Sequence, residues 1–326
     1  MTLWSTLRRV AGCSLVPVAL AAQPAPNLDV AYETTPPPAA IALRIPAGTV
    51  ALALGNVGIV STDAEVLFYN PGMLTSARGV ALSVQRYGGN GTTGSLAGTQ
   101  MFGSIAVGIG ARLADWRSPE GQYGDAVRPG LGVLGFRGSS RASSTAITAA
   151  AARAVGPVRI GVGATYVRES FHMENDESAQ FDVGVVWPIG PTSLAFTMQQ
   201  LGKPLELSGL PIANGSAEFE GASDWRASIG YGGWGFPLAT FWDLGGTVQL
   251  SLDDSGTVRS AGGGELTYVP LEGVAIAARV GHRSTIGNER PLTAGLGFTL
   301  DRYSLDYAIE SFRGGRSAHR VGLRIR

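Results

Sequence analysis

Residues 302–326 read RYSLDYAIESFRGGRSAHRVGLRIR, and their side chains alternate in character along two runs. Apolar residues occupy the odd positions from 303 to 309 and from 321 to 325, and mostly polar, charged or small residues occupy the even positions. Successive side chains of a strand point to opposite faces, so each run has one apolar and one polar face. An unpaired final strand would leave backbone hydrogen-bonding groups open, and closing the sheet into a barrel removes that edge. These runs therefore predict two antiparallel strands of a barrel.

The same alternation recurs from Gly79 onward, and the second face is repeatedly lined by glycines or charges. Some connections are tight, as at Gly156-Pro157, and others are longer and polar, as at 202–223. Short turns at one end and longer loops at the other are typical of transmembrane barrels, whose short turns are periplasmic. Soluble sandwiches also have one polar and one apolar face. Aromatic residues near the strand ends favour the membrane barrel.

Strand parity gives the predicted count. Neighbouring strands must alternate in direction, and one outward strand is missing between the segments Met101–Leu113 and Ala146–Val155. We assign Arg128–Phe136 to it, although its alternation is poor. The sequence then predicts an all-β fold, a transmembrane antiparallel β-barrel of about 14 strands, an even number as single-chain bacterial barrels have.

Composition narrows the class of protein. Of the 326 residues, 15% are charged, which is below the roughly 25% usual in soluble domains. The formal net charge is zero, so no basic field favours nucleic acid as a partner. Cys13 is the only cysteine and falls in the predicted signal peptide, so we expect no disulfide, thiolate metal site or cysteine nucleophile in the mature chain.

The N-terminal part divides into three predicted segments. Residues 1–22 read as a secretory signal, with Arg8-Arg9 before an apolar stretch and the cleavage site Ala19-Leu20-Ala21. Residues 23–44 are proline- and alanine-rich and predict a flexible lead-in. Residues 45–78 predict a plug with a short helix, since Thr62 to Glu65 has capping-box spacing and Asn70-Pro71-Gly72 ends the helical run. Residues 79–326 form the predicted barrel.

Two parts of the chain resemble known outer-membrane barrels. GTVALALGNVG at 48–58, followed by DAEVLFYNPGML at 63–74, resembles the N-terminal segment of the PorV/PorQ-type and FadL-type families, which have an Asp-Ala pair, an aromatic residue and Asn-Pro-Ala-Gly-Leu. This chain has Gly72-Met73-Leu74 in place of the last part. The C-terminal stretches 295–298, 305–308 and 319–323 are more similar to the PorV/PorQ type. Together these stretches comprise 36 of the 304 residues that follow the predicted signal peptide.

The resemblance implies a fourteen-stranded barrel whose N-terminal segment folds into the lumen as a plug or hatch. It implies a non-enzymatic protein of the bacterial outer membrane that assists protein secretion or surface attachment, with secretion-machinery or cargo proteins as partners. The alternative is a FadL-like channel for uptake of hydrophobic small molecules. Short extracellular loops favour the first function. Outer-membrane lipid is a partner in both, and neither needs a cofactor.

Three groups of residues are candidates for function. Within the plug, a gate built on the rigid Asn70-Pro71 turn is weighed against a helix that only fills the barrel. For the charges expected in the lumen, pairing that holds strand register is weighed against selection of a solute. For the apolar part of the loop at 202–223, capture of a lipid-like solute or protein is weighed against folding over the barrel mouth. The plug residues are Asp63, Phe68, Tyr69, Asn70 and Pro71; the lumen charges are Arg159, Arg279, Asp306, Glu310, Arg320 and Arg324; the loop residues are Leu205, Leu207, Leu210 and Ile212.

More specific chemistry is predicted in one place and excluded in another. Asp306 and Glu310 are expected to pair with Arg320 and Arg324 across the last two strands. His172, His282 and His319 lack the spacing of zinc ligands, and none lies in a recognisable catalytic motif. The sequence therefore predicts no metal site, no cofactor and no catalysis.

Overall fold

The computed structural model describes residues 41–87, 91–117, 141–171, 174–203, 205, 225–285, 289–313 and 315–326. The predicted signal peptide and most of the predicted lead-in lie outside these residues, and so does Arg128–Phe136.

Fourteen antiparallel strands form one closed barrel, which confirms the predicted fold class. Each strand pairs with its neighbours in the chain, and β14 pairs with β1 from Val80–Ile325 to Tyr87–Ala318, which closes the sheet. The strands are β1 Gly79–Tyr87, β2 Gly91–Phe102, β3 Ile105–Arg117, β4 Arg141–Val155, β5 Val158–Phe171, β6 Glu174–Ile189, β7 Thr192–Gly202, β8 Arg226–Ala239, β9 Trp242–Asp253, β10 Val258–Leu271, β11 Val274–Arg283, β12 Glu289–Leu300, β13 Tyr303–Phe312 and β14 Ser317–Ile325.

The predicted total is correct, but the strand assigned to complete it is wrong. The missing outward strand is β2, Gly91–Phe102, and β3 pairs directly with β4. The segment predicted as the single strand Met101–Leu113 contains a turn at Gly103-Ser104, where Gly103 has φ 61°. Four of the six outward positions of β2 are polar or lack a side chain, so this strand has little apolar pattern to detect. They are Thr92, Gly94, Gly98 and Gln100.

The two ends of the barrel differ in the length of their connections. At one end, which we call the short-turn end, six connections have two residues each, from 103–104 to 301–302. At the other, the loop end, the connections range from two residues at 172–173 to 23 residues at 118–140 and 203–225. In bacterial outer-membrane barrels the short turns face the periplasm.

The outer surface of the barrel is apolar. Val80, Leu82 and Val84 are each 46–48% exposed, whereas the residues between them are buried. The same contrast follows the other strands, as the alternation predicts. Among the described residues, no helix has the length and apolar character needed to cross a membrane.

Residues 41–78, which we call the luminal segment, fill much of the barrel interior. Two short helices, α1 Ile41–Arg44 and α2 Thr49–Ala53, precede two 3₁₀ helices, Ala64–Phe68 and Pro71–Thr75. The segment packs on two parts of the wall: α1 contacts β3 and β4, α2 contacts β11 to β14, and the second 3₁₀ helix contacts β3 to β6. The helical turn α1 lies within the lead-in that the sequence predicts to be flexible.

Candidate functional site

Arg320 joins the barrel wall to the luminal segment. Its side chain points inward from β14 and is 1% exposed. The guanidinium donates to the carbonyl oxygens of Pro46 (2.8 Å) and Ala47 (2.6 Å), and to Ser83 Oγ on β1 (2.7 Å). The Ala47 carbonyl also accepts from Ser95 Oγ, whereas the arginine supplies the hydrogen bond that the buried Pro46 carbonyl needs.

Glu65 makes a second connection beside it. Its carboxylate accepts from Ser83 Oγ (2.8 Å) and Ser95 Oγ (3.1 Å) of the wall, and from the Thr49 amide (3.3 Å) of α2. Burial, and then the nearby Asp63 carboxylate, raises the pKa of Glu65 to about 7, although Arg320 acts in the opposite direction. Asp63 caps the first 3₁₀ helix by accepting from the Glu65 amide at 3.0 Å, so the cap is Asp63 rather than Thr62.

Asn70 and Pro71 form a rigid corner in the luminal segment. Asn70 is fully buried; its Oδ1 accepts from the Gly72 amide (2.9 Å), and its Nδ2 donates to the Ile59 carbonyl (3.1 Å). Pro71 begins the second 3₁₀ helix, where a missing N–H costs nothing. The corner fits only because the wall offers glycines: a Cβ at Gly161 would overlap Pro71, and one at Gly184 would overlap the Asn70 amide.

Phe68 and Tyr69 directly precede this corner in the chain and lie within the barrel interior, where both border a cavity. The Tyr69 hydroxyl accepts from the amides of Ala47 (2.9 Å) and Gly48 (3.2 Å) and donates to Asn56 Oδ1 (2.9 Å). Phe68 is buried, and the Arg112 guanidinium of β3 lies 5.0 Å from its ring centre. The five plug candidates are thus packed or hydrogen-bonded within the lumen, and their role as a gate stays a prediction.

The charges predicted to face the lumen do so, but their partners differ in part. Arg324 Nε lies 2.7 Å from Asp306 Oδ2, and Arg279 Nη1 lies 2.8 Å from the other oxygen of Asp306. Glu310 does not pair with Arg320; it pairs with Arg283 of β11 at 2.5 Å and contacts Gln85. Curvature of the wall brings β11 towards β13 on the inner side, which strand-neighbour reasoning does not anticipate.

Arg159, the remaining predicted lumen charge, lies apart from this cluster. It is partly buried near the short-turn end and donates to Ser76 Oγ, just after the second 3₁₀ helix. It therefore contacts the luminal segment and not another charge among the described residues.

Two adjoining cavities lie between the luminal segment and the loop end, and we call them the luminal chamber. The inner cavity measures about 20 Å³ and is bounded by Phe68, Arg112, Gln180 and Asp182, among others. The outer cavity measures about 110 Å³ and reaches the loop end of β8 to β12. Both cavities border on the same five residues: Arg44, Asn56, Tyr69, Gln199 and Arg226.

The chamber is lined by arginines from several elements. Arg44 comes from α1, Arg226 from the start of β8, Arg259 from β10 and Arg283 from the end of β11. Burial, and secondarily the positive charges of Arg226 and Arg259, lowers the pKa of Arg44 to about 10. Arg44, Arg226 and Arg259 are therefore close enough for their positive charges to affect one another.

Several buried polar atoms at the chamber have no hydrogen-bond partner within the part of the chain that the structure describes. Both amide atoms of Gln180, which is 1% exposed, are in this condition, and so are Arg112 Nε and Gln249 Oε1. Unpaired buried polar atoms are costly unless water or a ligand satisfies them. These atoms mark the chamber as a place where small polar groups can bind.

The predicted surface-capture residues are described in part. Leu205 is fully buried with Ala42 and Leu43 of α1 and with Val167 of the wall, so it is not exposed at the surface. Its position agrees with a chain that turns in over the barrel mouth after β7. Leu207, Leu210 and Ile212 lie outside the described residues.

The described histidines form no metal site. Across residues 41–326, apart from the undescribed gaps, no group of histidine, cysteine or carboxylate side chains could hold a metal ion. His319 lies on the outer face, where its ring bonds the Tyr307 hydroxyl (2.6 Å) and Ser317 Oγ (2.9 Å). His172 is outside the described residues.

Sequence reasoning did not identify Glu65, Arg44 or Arg226. Strand parity could have placed Arg226 in the lumen, since it shares a face with Ser228 and Gly230 on β8. Glu65 was noted only as the end of the capping-box spacing that begins at Thr62. Its contact with the wall and that of Arg44 could not be predicted, because an irregular segment has no repeating pattern that shows its path inside a barrel.

The fold was compared with those of known proteins. No family model and no curated protein sequence matches the chain. Among solved structures, the Pseudomonas putida toluene transporter TodX has a TM-score of 0.56 at 11% identity, covering 85% of this chain and 96% of TodX. The Ralstonia pickettii toluene transporter TbuX has a TM-score of 0.56 at 11% identity, with coverage of 86% and 98%. A Pseudomonas aeruginosa FadL homologue has 0.53 at 12% identity, with coverage of 85% and 96%.

These matches agree on one architecture, and at such low identity they speak to the fold alone. They support the FadL side of the resemblance seen in the sequence and not its PorV/PorQ side. The chain is therefore similar in fold to the FadL-type outer-membrane transport barrels.

Proposed function

We propose that the protein is a non-enzymatic uptake channel of the bacterial outer membrane. Small organic molecules enter the luminal chamber from the loop end and pass the luminal segment towards the short-turn end. The luminal segment acts as the gate of this path. This is the alternative that the sequence left open, and it replaces secretion accessory as the preferred function.

One observation carries the proposal: a chamber at the loop end is closed below by a buried segment. Residues 50–54 and 64–68 of that segment are buried, so the lumen is not an open pore in this conformation. A chamber that is accessible from one end and blocked at the other is suited to capture before transfer.

The functions of the structural neighbours also support an uptake channel. TodX and TbuX are toluene transporters, and CymD, with a TM-score of 0.55, is a monoaromatic hydrocarbon channel. For this chain they suggest a small organic solute with an apolar body. None of these three is a secretion accessory.

The gate can be tested by locking it. Thr49 of α2 faces Gly322 of β14, and a Cβ at position 322 would lie 3.0 Å from the Thr49 Cβ. A disulfide needs about 3.5–4.5 Å between Cβ atoms, so a small shift of α2 allows the bond in Thr49→Cys/Gly322→Cys. Cys13 is the only native cysteine and falls in the predicted signal peptide, which gives a clean background.

The lock should act on transport and be reversible. Cells that carry the oxidised double variant should take up a labelled monoaromatic compound no faster than cells without the gene, and a reductant should restore uptake. The two single variants serve as controls for the substitutions themselves. Uptake that is the same before and after reduction would show that the luminal segment is not the gate.

A second experiment separates uptake from secretion. The gene is deleted, and both uptake of monoaromatic compounds and the secreted proteome are measured. We expect impaired uptake with normal secretion. Normal uptake together with lost secretion would show that the protein assists secretion and is not an uptake channel.

A further inference from the structure

Carboxylates at the outer cavity are already engaged by two of its arginines. Asp253 Oδ2 lies 2.9 Å from Arg259, while its Oδ1 accepts from Ser255 Oγ (2.6 Å) and the Thr257 amide (3.0 Å). Arg283 lies 3.0 Å from Glu289 and 2.5 Å from Glu310. The charges of Arg259 and Arg283 are therefore balanced within the wall.

Arg226 differs from these two arginines. Its backbone lies directly opposite Asp253 on β9, but that carboxylate is occupied by other donors. Within the described residues, no side chain or carbonyl makes an ion pair or hydrogen bond with Arg226. The side chain is half-buried and borders both cavities. A partly desolvated cation without a partner favours an anion at this position.

The outer cavity also has an apolar side. Ile59, Pro46, the Tyr69 ring and Ala261 line it together with the arginines, and Ile59 is 1% exposed. On this measure of volume one water needs about 10–15 Å³. The outer cavity, at about 110 Å³, has room for a compact organic molecule, whereas the inner cavity, at about 20 Å³, has room for about one water.

We infer that the outer cavity binds a compact organic monocarboxylate, whose carboxylate contacts Arg226 and whose apolar body lies against Ile59 and Tyr69. A single carboxylate is indicated because, of the arginines that border the outer cavity, Arg226 is the one without an ion pair or hydrogen bond to another described residue. The inference rests on the proposed channel function, because the bound carboxylate would be a transported solute. A chamber with this site would accept more than neutral hydrocarbons. The guanidinium offers a forked pair of N–H donors that matches a carboxylate.

The test uses three probes of nearly equal size and different charge. Binding of benzoate, benzyl alcohol and benzylamine to the purified full-length protein in detergent is measured by calorimetry. We expect benzoate to bind at least tenfold more tightly than benzyl alcohol, and benzylamine to bind most weakly. Equal binding of benzoate and benzyl alcohol would overturn the inference.

Variants assign the effect to one residue. Arg226→Gln should remove the preference for benzoate and leave benzyl alcohol unchanged, whereas Arg226→Lys should keep part of the preference. Arg153→Gln, an exposed arginine near the short-turn end, is the matched control and should behave as wild type. A preference that survives Arg226→Gln would also overturn the inference. If that variant does not fold, the order in which wild type binds the three probes still decides the outcome, because the inference requires benzoate to bind most tightly and benzylamine most weakly.

The two proposals fail in different ways. If benzoate binds selectively but uptake does not respond to the disulfide lock, the channel function is wrong and the binding site stands. If the lock controls uptake but benzoate and benzyl alcohol bind alike, the channel stands and the carboxylate site is wrong.

Discussion

At the residue scale, small side chains of the wall decide how closely the luminal segment can approach. Gly161 and Gly184 leave room for the Asn70-Pro71 corner, and Gly110 leaves room for the Phe68 ring. In a strand that packed only on its own neighbours, glycine would be unfavourable. Here it permits contact between two backbones, so its role is in the seating of the luminal segment.

Gly184→Val should displace that corner. The added Cβ would overlap Asn70 Oδ1, and overpacking of this kind costs roughly 1–3 kcal/mol. We expect a lower urea midpoint for the protein in micelles and a higher single-channel conductance in planar bilayers. Gly98→Val is the control, since the nearest atom to its Cβ is Val80 Cγ2 at 3.9 Å. If the two variants behave alike, the glycine does not seat the corner.

Glu65 should make stability depend on pH. Its pKa in the folded protein is about 7, above the ordinary value, so the folded state holds a proton that the unfolded chain releases near pH 4.5. The stabilisation is complete below that lower value and is lost as the pH rises through about 7. The difference corresponds to an effect on the order of 3 kcal/mol.

The measurement is the free energy of unfolding between pH 5 and 8. It should fall with rising pH in wild type, and Glu65→Gln should remove that part of the slope because a glutamine cannot ionise. Asp63 and Arg320 remain in both proteins and serve as a constant background. Identical slopes for the two proteins would contradict the raised pKa.

At the scale of elements, β14 connects three parts of the molecule. Its backbone closes the barrel against β1. Two of its side chains, Arg320 and Arg324, point inward from positions four residues apart. Arg324 reaches Asp306 on β13, while Arg320 reaches the backbone of the luminal segment. Closure of the sheet and seating of the luminal segment therefore depend on one strand.

Arg320→Met should loosen the luminal segment without opening the sheet. It would leave the Pro46 carbonyl without its donor, at roughly 1–3 kcal/mol for an orphaned acceptor. It would also remove one of the donors to the Ala47 carbonyl, which still accepts from Ser95 Oγ. We expect a lower unfolding midpoint and faster proteolysis within residues 41–78, with the strand content unchanged by circular dichroism. Arg153→Met, at an exposed position, should leave both values unchanged. Protease resistance equal to that of wild type would show that Arg320 does not hold the segment.

At the scale of the whole molecule, the interior is divided into a closed part and a chamber. The helices of the luminal segment pack against β1 to β6 and β11 to β14, and the arginine-lined chamber lies at the loop end. A barrel has no free edges, so its hydrogen bonds do not depend on the segment inside it. The wall can therefore persist while the interior rearranges.

Deletion of residues 45–75 tests this separation. The barrel should still assemble and show heat-modifiable migration, and its conductance in planar bilayers should rise several-fold because the lumen is unblocked. Deletion of residues 204–223 from the loop between β7 and β8 provides a comparison. Conductance equal to that of wild type would mean that residues 45–75 do not occlude the lumen.

The alternation of side chains was sufficient to predict the barrel, its even strand number and its apolar outer face. Each of these depends on a period of two along one strand, which is local information. It failed at β2, whose outward positions are mostly small or polar, and a neighbouring segment was taken for the missing strand. A strand that is held by its neighbours on both sides does not need a strong pattern of its own.

The partners inside the lumen were decided by tertiary structure. The Asp306–Arg324 contact joins adjacent strands and was accessible from the sequence, but Glu310 meets Arg283 across the curved wall, and Arg320 meets Ala47 from 273 positions away. The chamber follows the same logic, because α1, β8, β10 and β11 each contribute one arginine. Sequence determines which face of a strand a residue occupies; closure of the barrel and the path of the luminal segment determine what that residue meets there.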